Sequence, residues 1–386
     1  MHIGHYIQGL GDPGGIATYI HRISQAQMAA GHQVYWFDTR PVNSQLIIEA
    51  YPVVVCNDDD LYHQARSRQV NVLHLHTSVS KLPPPELPVV RTVHDHNPYC
   101  PSGSRYLKNW GKPCDRAYHP IGCLWGHFID HCGSIRPAQL STEFQRLSQE
   151  MKTLSVIPTI ANSQFVKEQM LRSGYLEDQL DLLLLPVPDS GEYLPPPEDE
   201  IPHFLFVGRI TPEKGWRWLL QALATLKTPI HLDIAGTGNP QQNQAIRELT
   251  AQLGLEEKIT FHGWVNEGEV RRLMQQSRAV IFPSVWHEPA GLVSLEAAAA
   301  GRAVIASQVG GLPEYVGKLK NGLLVEPNDV QGLAEAIAQL AQNYYLAQQL
   351  GVEGYKMVQM HFSLEQHLAD LMQLYEQTIN KDKFYF

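Results

Sequence analysis

No stretch of the 386 residues approaches the roughly 18–20 consecutive apolar residues that a membrane-spanning helix needs, so no transmembrane segment is expected. The opening, MHIGHYIQGLGDPGGI, also lacks the basic and apolar regions of a secretory signal, and the expectation is a cytoplasmic protein. Basic residues are few: 30 Lys and Arg stand against 39 Asp and Glu, for a formal charge of −9, and they form no block. Without a basic patch to neutralise phosphates, nucleic acid is not an expected partner. Cysteine is scarce as well, and five residues without a secretory signal read as thiols or ligands rather than a disulfide framework. Low-complexity tracts and short repeats are missing too.

What is present is a globular composition, 44% hydrophobic, in a chain long enough for two or three domains of roughly 150 residues. HIGHYIQ, a helical stretch with Ile16, Ile20 and Ile23 on one face, and QVYWFD make a βαβ opening. PVVVC, VLHLH, PVVRTVH, VIPTIAN and DLLLLP continue the series, and such buried strands between helices predict a mostly parallel sheet. This first domain is expected over residues 1–185. PVPDSGEYLPPPEDEIP, with six prolines, cannot continue a helix or a central strand and is read as a linker over 186–202. HFLFVG, HLDIAG, KITFHG, RAVIFP, RAVIAS and GLLV then form a second βα series over 203–362. Ser363 and Gln366 at capping-box spacing open a last helix with a Leu364, Leu368, Leu371 and Tyr375 stripe. The fold class expected is α/β, two doubly wound Rossmann-like domains, with ligands bound in a cleft where their strand ends face each other.

Gly9, Gly11 and Gly14 spell G-x-G-x-x-G between a strand and a helix, and Asp38 ends the next strand. Asp12 would oppose a pyrophosphate and Pro13 removes an N–H donor, so a nicotinamide or flavin enzyme is disfavoured. Gly14 and Gly15 are better read as letting backbone approach a ligand at the helix start, beside the plainer reading of a tight turn. Asp58, Asp59 and Asp60 after PVVVC have the look of a metal-holding D-x-D, but an acidic turn before a helix is favoured.

The most specific passage is RAVIFPSVWHEPAGLVSLEAAAAGRAVIAS. A helix opened by Gly291 offers the N–H groups of Gly291, Leu292 and Val293 to an anion, a phosphate seat. Glu296, one turn beyond Leu292, has the two acceptor oxygens that a ribose diol would use, and Glu288 can do the same for a hexose. This passage resembles the E-x₇-E signature of glycosyltransferase family 4, retaining enzymes of the GT-B fold, and the rest of the chain agrees in order. VGRITPEKGW resembles the family's strand-end G-R-x-x-x-x-K-G segment, here opening at Gly208, which makes Arg209 and Lys214 the cations facing the donor diphosphate. AGTGNP, with Gly236 and Gly238, resembles its A-G-x-G loop, and FHGWV, with Gly263, Trp264 and Val265, the strand whose following backbone holds the nucleobase. In the first domain GGI resembles the opening Gly-rich turn, VHDH the His-Asp pair at a strand end, and ANS the entry to the last helix before the linker.

The resemblance implies a metal-independent, retaining hexosyltransferase with attack from the leaving-group face. Arg209, Lys214 and the helix amides would stabilise the charge that develops on the diphosphate, with Glu288 and His94 at the sugar. Pro289 and Ala290 would complete the donor pocket; Ala290 stands where the family often has Phe. The donor expected is UDP-glucose and the acceptor a glycan or lipid-linked intermediate of polysaccharide biosynthesis. No cofactor is required for catalysis. The last helix, 363–386, is expected to return to the first domain. An epimerase or hydrolase on the same fold, or a non-catalytic nucleotide-sugar-binding protein, is the alternative.

Between Asn97 and Pro137 lies an insertion with Cys100, Cys114, Cys123 and Cys132 at gaps of 14, 9 and 9. Structural zinc, disulfides and free thiols all remain open, since no C-x₂-C pair is present. Following His94, the insertion is expected to overhang the acceptor side, with Asp95, Tyr99 and Trp110 as acceptor-side residues. Its aromatic faces suit sugars or lipid headgroups, so peripheral contact at the inner face of a membrane is also expected.

Overall fold

The computed structural model describes residues 1–9, 14–40, 51–187 and 191–381. The chain forms two compact units, one of Met1–Ser104, Arg116–Leu185 and Leu364–Phe386, the other of Arg105–Asp115 and Pro186–Ser363. The split of the insertion is a difference from the sequence reading. Its Arg105–Asp115 segment carries a short hairpin, Tyr106–Leu107 with Lys112–Pro113, and Tyr106 is buried in the core of the second unit. Asn328 Nδ2 donates to the Gly111 carbonyl at 3.0 Å, holding the same segment from the other side.

The first unit contains strands β1 (His2–Ile7), β2 (Gln33–Asp38), β3 (Val53–Val55), β4 (Val72–Leu75), β5 (Val89–Val93), β8 (Thr159–Ala161) and β9 (Leu180–Leu182), β6 and β7 being the hairpin above. Their order is β3-β2-β1-β4-β5-β8-β9, all parallel. Continuous burial of β4 and β5 explains their unbroken apolar runs, since helices cover both faces. The last helix, Leu364–Lys381, belongs to this unit. Leu371 and Tyr375 of its stripe are fully buried, and Tyr375 OH lies 2.6 Å from His74 Nδ1 on β4.

The second unit is a six-stranded sheet of β10 (His203–Val207), β11 (His231–Ala235), β12 (Ile259–Gly263), β13 (Ala279–Phe282), β14 (Ala303–Ser307) and β15 (Gly322–Val325) in the order β12-β11-β10-β13-β14-β15. The chain reverses direction across the sheet between β10 and β13, and the loops that leave these strands are where ligands bind in such folds. Apolar clusters lie on both faces, one around Phe204, Phe206, Trp216 and Ile305, the other around Leu205, Val280 and Val304. The helix Leu292–Ala299 is buried on nearly all sides, which is why its sequence is rich in alanine: Gly354 of the helix Tyr344–His361 passes so close that a Cβ there would sit 3.1 Å from Ala298 Cβ. The proline-rich segment is pinned rather than free. Arg302, fully buried, donates to the carbonyls of Leu194 at 2.7 Å, Gln275 at 2.7 Å and Met274 at 2.9 Å, and Arg278 Nε reaches Pro197 O at 3.1 Å.

Candidate active site

The loop after β10 runs Gly208–Gly215 and ends in a 3₁₀ turn, Pro212–Lys214. Gly215 has φ 73°, and a Cβ there would strike the carbonyl of Pro283, so the loop after β13 is in direct backbone contact. Val285 N also donates to Glu213 O at 2.9 Å. Two loops distant in sequence are thereby locked into one surface. Glu288 sits on it, buried, and its Oε1 accepts from Lys214 Nζ at 2.6 Å, from Trp286 Nε1 at 2.7 Å and from Ser284 Oγ. Ser284, Trp286 and Glu288 alternate, as side chains on one side of an extended segment do. The Lys214 ammonium also lies 5.3 Å from the centre of the Trp286 ring and 5.5 Å from that of Phe282. A buried carboxylate with one cation and two neutral donors is satisfied at one oxygen, and Oε2 is the oxygen left for a ligand hydroxyl.

The neighbouring backbone is held as tightly. Gly311 N donates to Glu288 O at 2.7 Å, and at Gly310, φ 60°, a Cβ would meet the Glu288 backbone. Gly310 N donates to His287 Nδ1 at 3.1 Å, so His287 carries its proton on Nε2 and donates it to Asp115 Oδ1 at 2.8 Å. Burial lowers the proton affinity of this imidazole, with Asp115 acting against it. Sequence reasoning passed over Ser284, Trp286 and His287; the S-x-W-x-E alternation was the available signal for the first two.

Gly291 precedes the helix Leu292–Ala299 without a side-chain cap, and a Cβ on it would come 2.8 Å from Tyr315 Cβ. The N–H groups of Leu292 and Val293 head this helix, Glu296 is half-buried one turn in, and Pro289 and Ala290 lie between Glu288 and the helix. Gly208 and Gly236 are in contact through their backbones: Gly236, φ 152°, would strike Gly208 O with any Cβ, and Gly238 would crowd Ile210 O. Gly263, φ 69°, accepts at its carbonyl from Gly236 N at 2.7 Å, bringing the loops after β10, β11 and β12 side by side. Trp264 beyond it is 63% exposed, Val265 half-buried and Arg209 exposed.

In the first unit His94 ends a chain of buried imidazoles. Gln27 Oε1 lies 2.8 Å from His5 Nε2, His5 Nδ1 is 3.0 Å from His76 Nε2, and His76 Nδ1 is 3.0 Å from His94 Nε2. With the amide oxygen accepting at one end, each ring donates through Nε2 and accepts through Nδ1, which leaves His94 with a bare Nδ1. Burial drives the proton affinity of His5 down to about 4, and burial beside Arg91 takes His94 to about 3. Asp95 accepts from Asn97 N at 2.9 Å, and burial raises its carboxyl. Tyr99 requires a correction: it is 1% exposed, packed in the core with its hydroxyl 2.6 Å from His96 Nδ1, and presents no surface to an acceptor. Trp110 is exposed, in the segment that belongs to the second unit.

Gly14 begins the first helix, Gly15–Ala29, with open space where a Cβ would stand; Gly11, Asp12 and Pro13 lie outside the described residues. Asp38 is a brace rather than a ribose ligand: its Oδ1 accepts from Gly9 N and Arg40 N, each at 3.0 Å. Asp58 is tied to Tyr6 OH and Asp59 to Lys81 Nζ at 2.5 Å, so the acidic run is a turn held by its own unit. Among the described residues no disulfide joins the cysteines, and Cys114 lies in the second unit while Cys100, Cys123 and Cys132 lie in the first. Among the described residues no group of three or more metal-capable side chains includes a cysteine.

Residues 195–357 match the family model described as glycosyl transferases group 1. The fold is GT-B. HepE of Anabaena, solved with UDP, superposes with a TM-score of 0.74 at 16% identity over 98% of this chain and all of that one; its UDP-glucose complex gives 0.73 at 17% over the same shares. An uncharacterized glycosyltransferase of Methanocaldococcus jannaschii is 33% identical over 147 residues, 38% of this chain and 37% of the relative. A D-inositol 3-phosphate glycosyltransferase of an Arthrobacter species is 24% identical over 355 residues, 86% of this chain and 83% of the relative. The chain spans less than half the length of the first curated relatives it matches. Of the GT-B chain, the matched stretch contains Arg209, Lys214, Glu288 and Glu296 together.

Proposed function

We propose that the protein is a retaining glycosyltransferase that moves a hexose, glucose first, from a nucleoside diphosphate sugar, UDP-linked first, to a glycan or lipid-linked acceptor in polysaccharide biosynthesis. The convergence of Lys214, Ser284 and Trp286 on Glu288, within the stretch that matches glycosyl transferases group 1, carries this reading. HepE, a fold neighbour, binds UDP and UDP-glucose, which favours that donor class.

The residues suit departure of a diphosphate better than covalent catalysis. Oε1 of Glu288 is occupied by three donors, one of them cationic, which withdraws electron density and makes the carboxylate a poor nucleophile. Its role is then to accept a sugar hydroxyl through Oε2. Lys214, already in place, and Arg209 stabilise negative charge as the sugar–phosphate bond breaks, joined by the amides of Leu292 and Val293. The acceptor attacks on the face the diphosphate leaves, and a β-phosphate oxygen takes its proton, so the configuration is retained without a protein nucleophile. Glu296 holds the ribose. In the first unit His94, neutral and with an unprotonated Nδ1, offers an acceptor to a hydroxyl.

The test is product analysis after mixing the protein with nucleotide-sugars, with and without a strong chelator. UDP release with a new glycoside of retained configuration, unchanged by chelator, is expected; free sugar alone would mean a hydrolase, an isomeric nucleotide-sugar an epimerase, and binding without turnover a sensor.

A further inference from the structure

At the starts of β10 and β11 two imidazoles meet beside a carboxylate, which a third imidazole reaches from near the far end of β12. His203 and His231 are the first residues of β10 and β11 and are register partners, their ring centres 4.7 Å apart. Asp233 lies two residues further on β11 and faces the same side. His203 Nδ1 is 2.7 Å from Asp233 Oδ2, and His262 Nε2 on β12 is 2.7 Å from Asp233 Oδ1. His231 Nε2 meets Thr260 Oγ1 at 2.9 Å. One ligand atom from each of His203, His231 and Asp233 lies within 4.8 Å of the other two.

We propose that His203, His231 and Asp233 form a binding site for a divalent transition-metal ion of the zinc class, distinct from the Glu288 surface. Two imidazoles and a carboxylate are a donor set that zinc takes with water in the fourth position, and the half-exposed His203 leaves room for that water. The surroundings also have the character of an outer shell. A ligating histidine is normally fixed by donating its second N–H to an outer acceptor, and Thr260 does this for His231, leaving Nδ1 for the ion. His262 donates to the second oxygen of Asp233 in the same way, which leaves Oδ2. The ion then takes the position of the proton now shared by His203 and Asp233.

The buried group His5, His74 and His76 is a poorer candidate, because both nitrogens of His74 are already engaged by Thr92 and Tyr375. An ion on β10 and β11 would staple the strands that project Gly208–Lys214 and Gly236–Gly238, and so add to stability.

Chelator-treated, full-length protein is titrated with Co²⁺ and followed by its visible d–d absorption. Saturation at one equivalent, displacement by Zn²⁺ and a higher unfolding temperature with Zn²⁺ are expected. H231Q should abolish the signal, and T260V should weaken the apparent Kd by about 10- to 100-fold while leaving the metal-free unfolding temperature unchanged. No Co²⁺ binding in the wild type, or equal binding by wild type, H231Q and D233N, would overturn the assignment.

Discussion

A salt bridge between buried groups, such as Lys214 with Glu288, is weak evidence for stability, because taking both charges out of water costs nearly as much as their attraction returns. Its value lies in preorganisation: the ammonium is already in place before any charge develops on a leaving group. K214A and R209A are therefore expected to lower turnover by about two orders of magnitude or more, at unchanged folding, measured as UDP release under saturating donor. Of the two, K214A should also loosen the Glu288 carboxylate, and restoring lysine-like charge with K214R should recover little, since a guanidinium does not reproduce the compact contact. Glu288 and Glu296 should separate by role. E288A is expected to impair transfer from bound donor, whereas E296A should weaken nucleotide binding by about 1–3 kcal/mol, read by calorimetry with UDP; equal losses of UDP affinity would contradict the division.

At the scale of elements, the helix Pro120–Trp125 and the turn of π-helix Gly126–Asp130 that follows it are inside out: His127 and Asp130 are buried while Ile121, Leu124, Trp125, Phe128 and Ile129 are exposed. Such a face suits an acyl chain or the interfacial region of a bilayer, where an apolar row with a tryptophan is stable. Cosedimentation with anionic lipid vesicles is expected for the wild type and should be lost in W125S/F128S; retention by that variant would remove this face from the account of the acceptor. The closing helix Leu364–Lys381 is the counterexample, amphipathic in the ordinary sense. Truncation after Phe362 deletes the fully buried Leu371 and Tyr375, uncovers the apolar surface of the first unit that they pack on, and should yield aggregation-prone protein, seen by light scattering on gentle warming, rather than a soluble, slower one. Strands of both units were legible because runs such as VLHLH and RAVIAS combine branched side chains with glycine or proline punctuation. The capture of Arg105–Asp115 by the second unit was not legible, since nothing local in KNWGKPC says which sheet a loop packs on. Tyr99 was misread for the same reason: an aromatic after a strand end looks alike whether it faces solvent or His96. Lys214 and Glu288 were each visible in their own motifs, but their pairing across 74 positions belongs to the folded chain.

For the whole molecule, the buried histidines set a pH limit. His5 and His367 titrate near 4 and His94 near 3 when folded, chiefly because burial disfavours the charged ring, against about 6.5 in an unfolded chain. The unfolded state thus binds more protons below about pH 6.5, so this contribution to stability is complete above that pH and is lost as pH falls toward 4. Each of these rings costs on the order of 1.4 kcal/mol per pH unit in that window, and urea midpoints should be flat from about pH 7 to 8 and fall steeply below about 6. A midpoint independent of pH across that range would mean that the rings are hydrated. The discontinuity of both units has a different consequence. The chain enters the second unit at Arg105, leaves after Asp115, re-enters at Pro186 and leaves again after Ser363. On a ribosome, the unit begun first must therefore hold its sheet without Tyr375 against His74 until the last residues emerge, while the unit begun second already has its full complement of strands. The order of synthesis and the order of completion are reversed, and the nascent first unit is the stage at which a chaperone has something to hold.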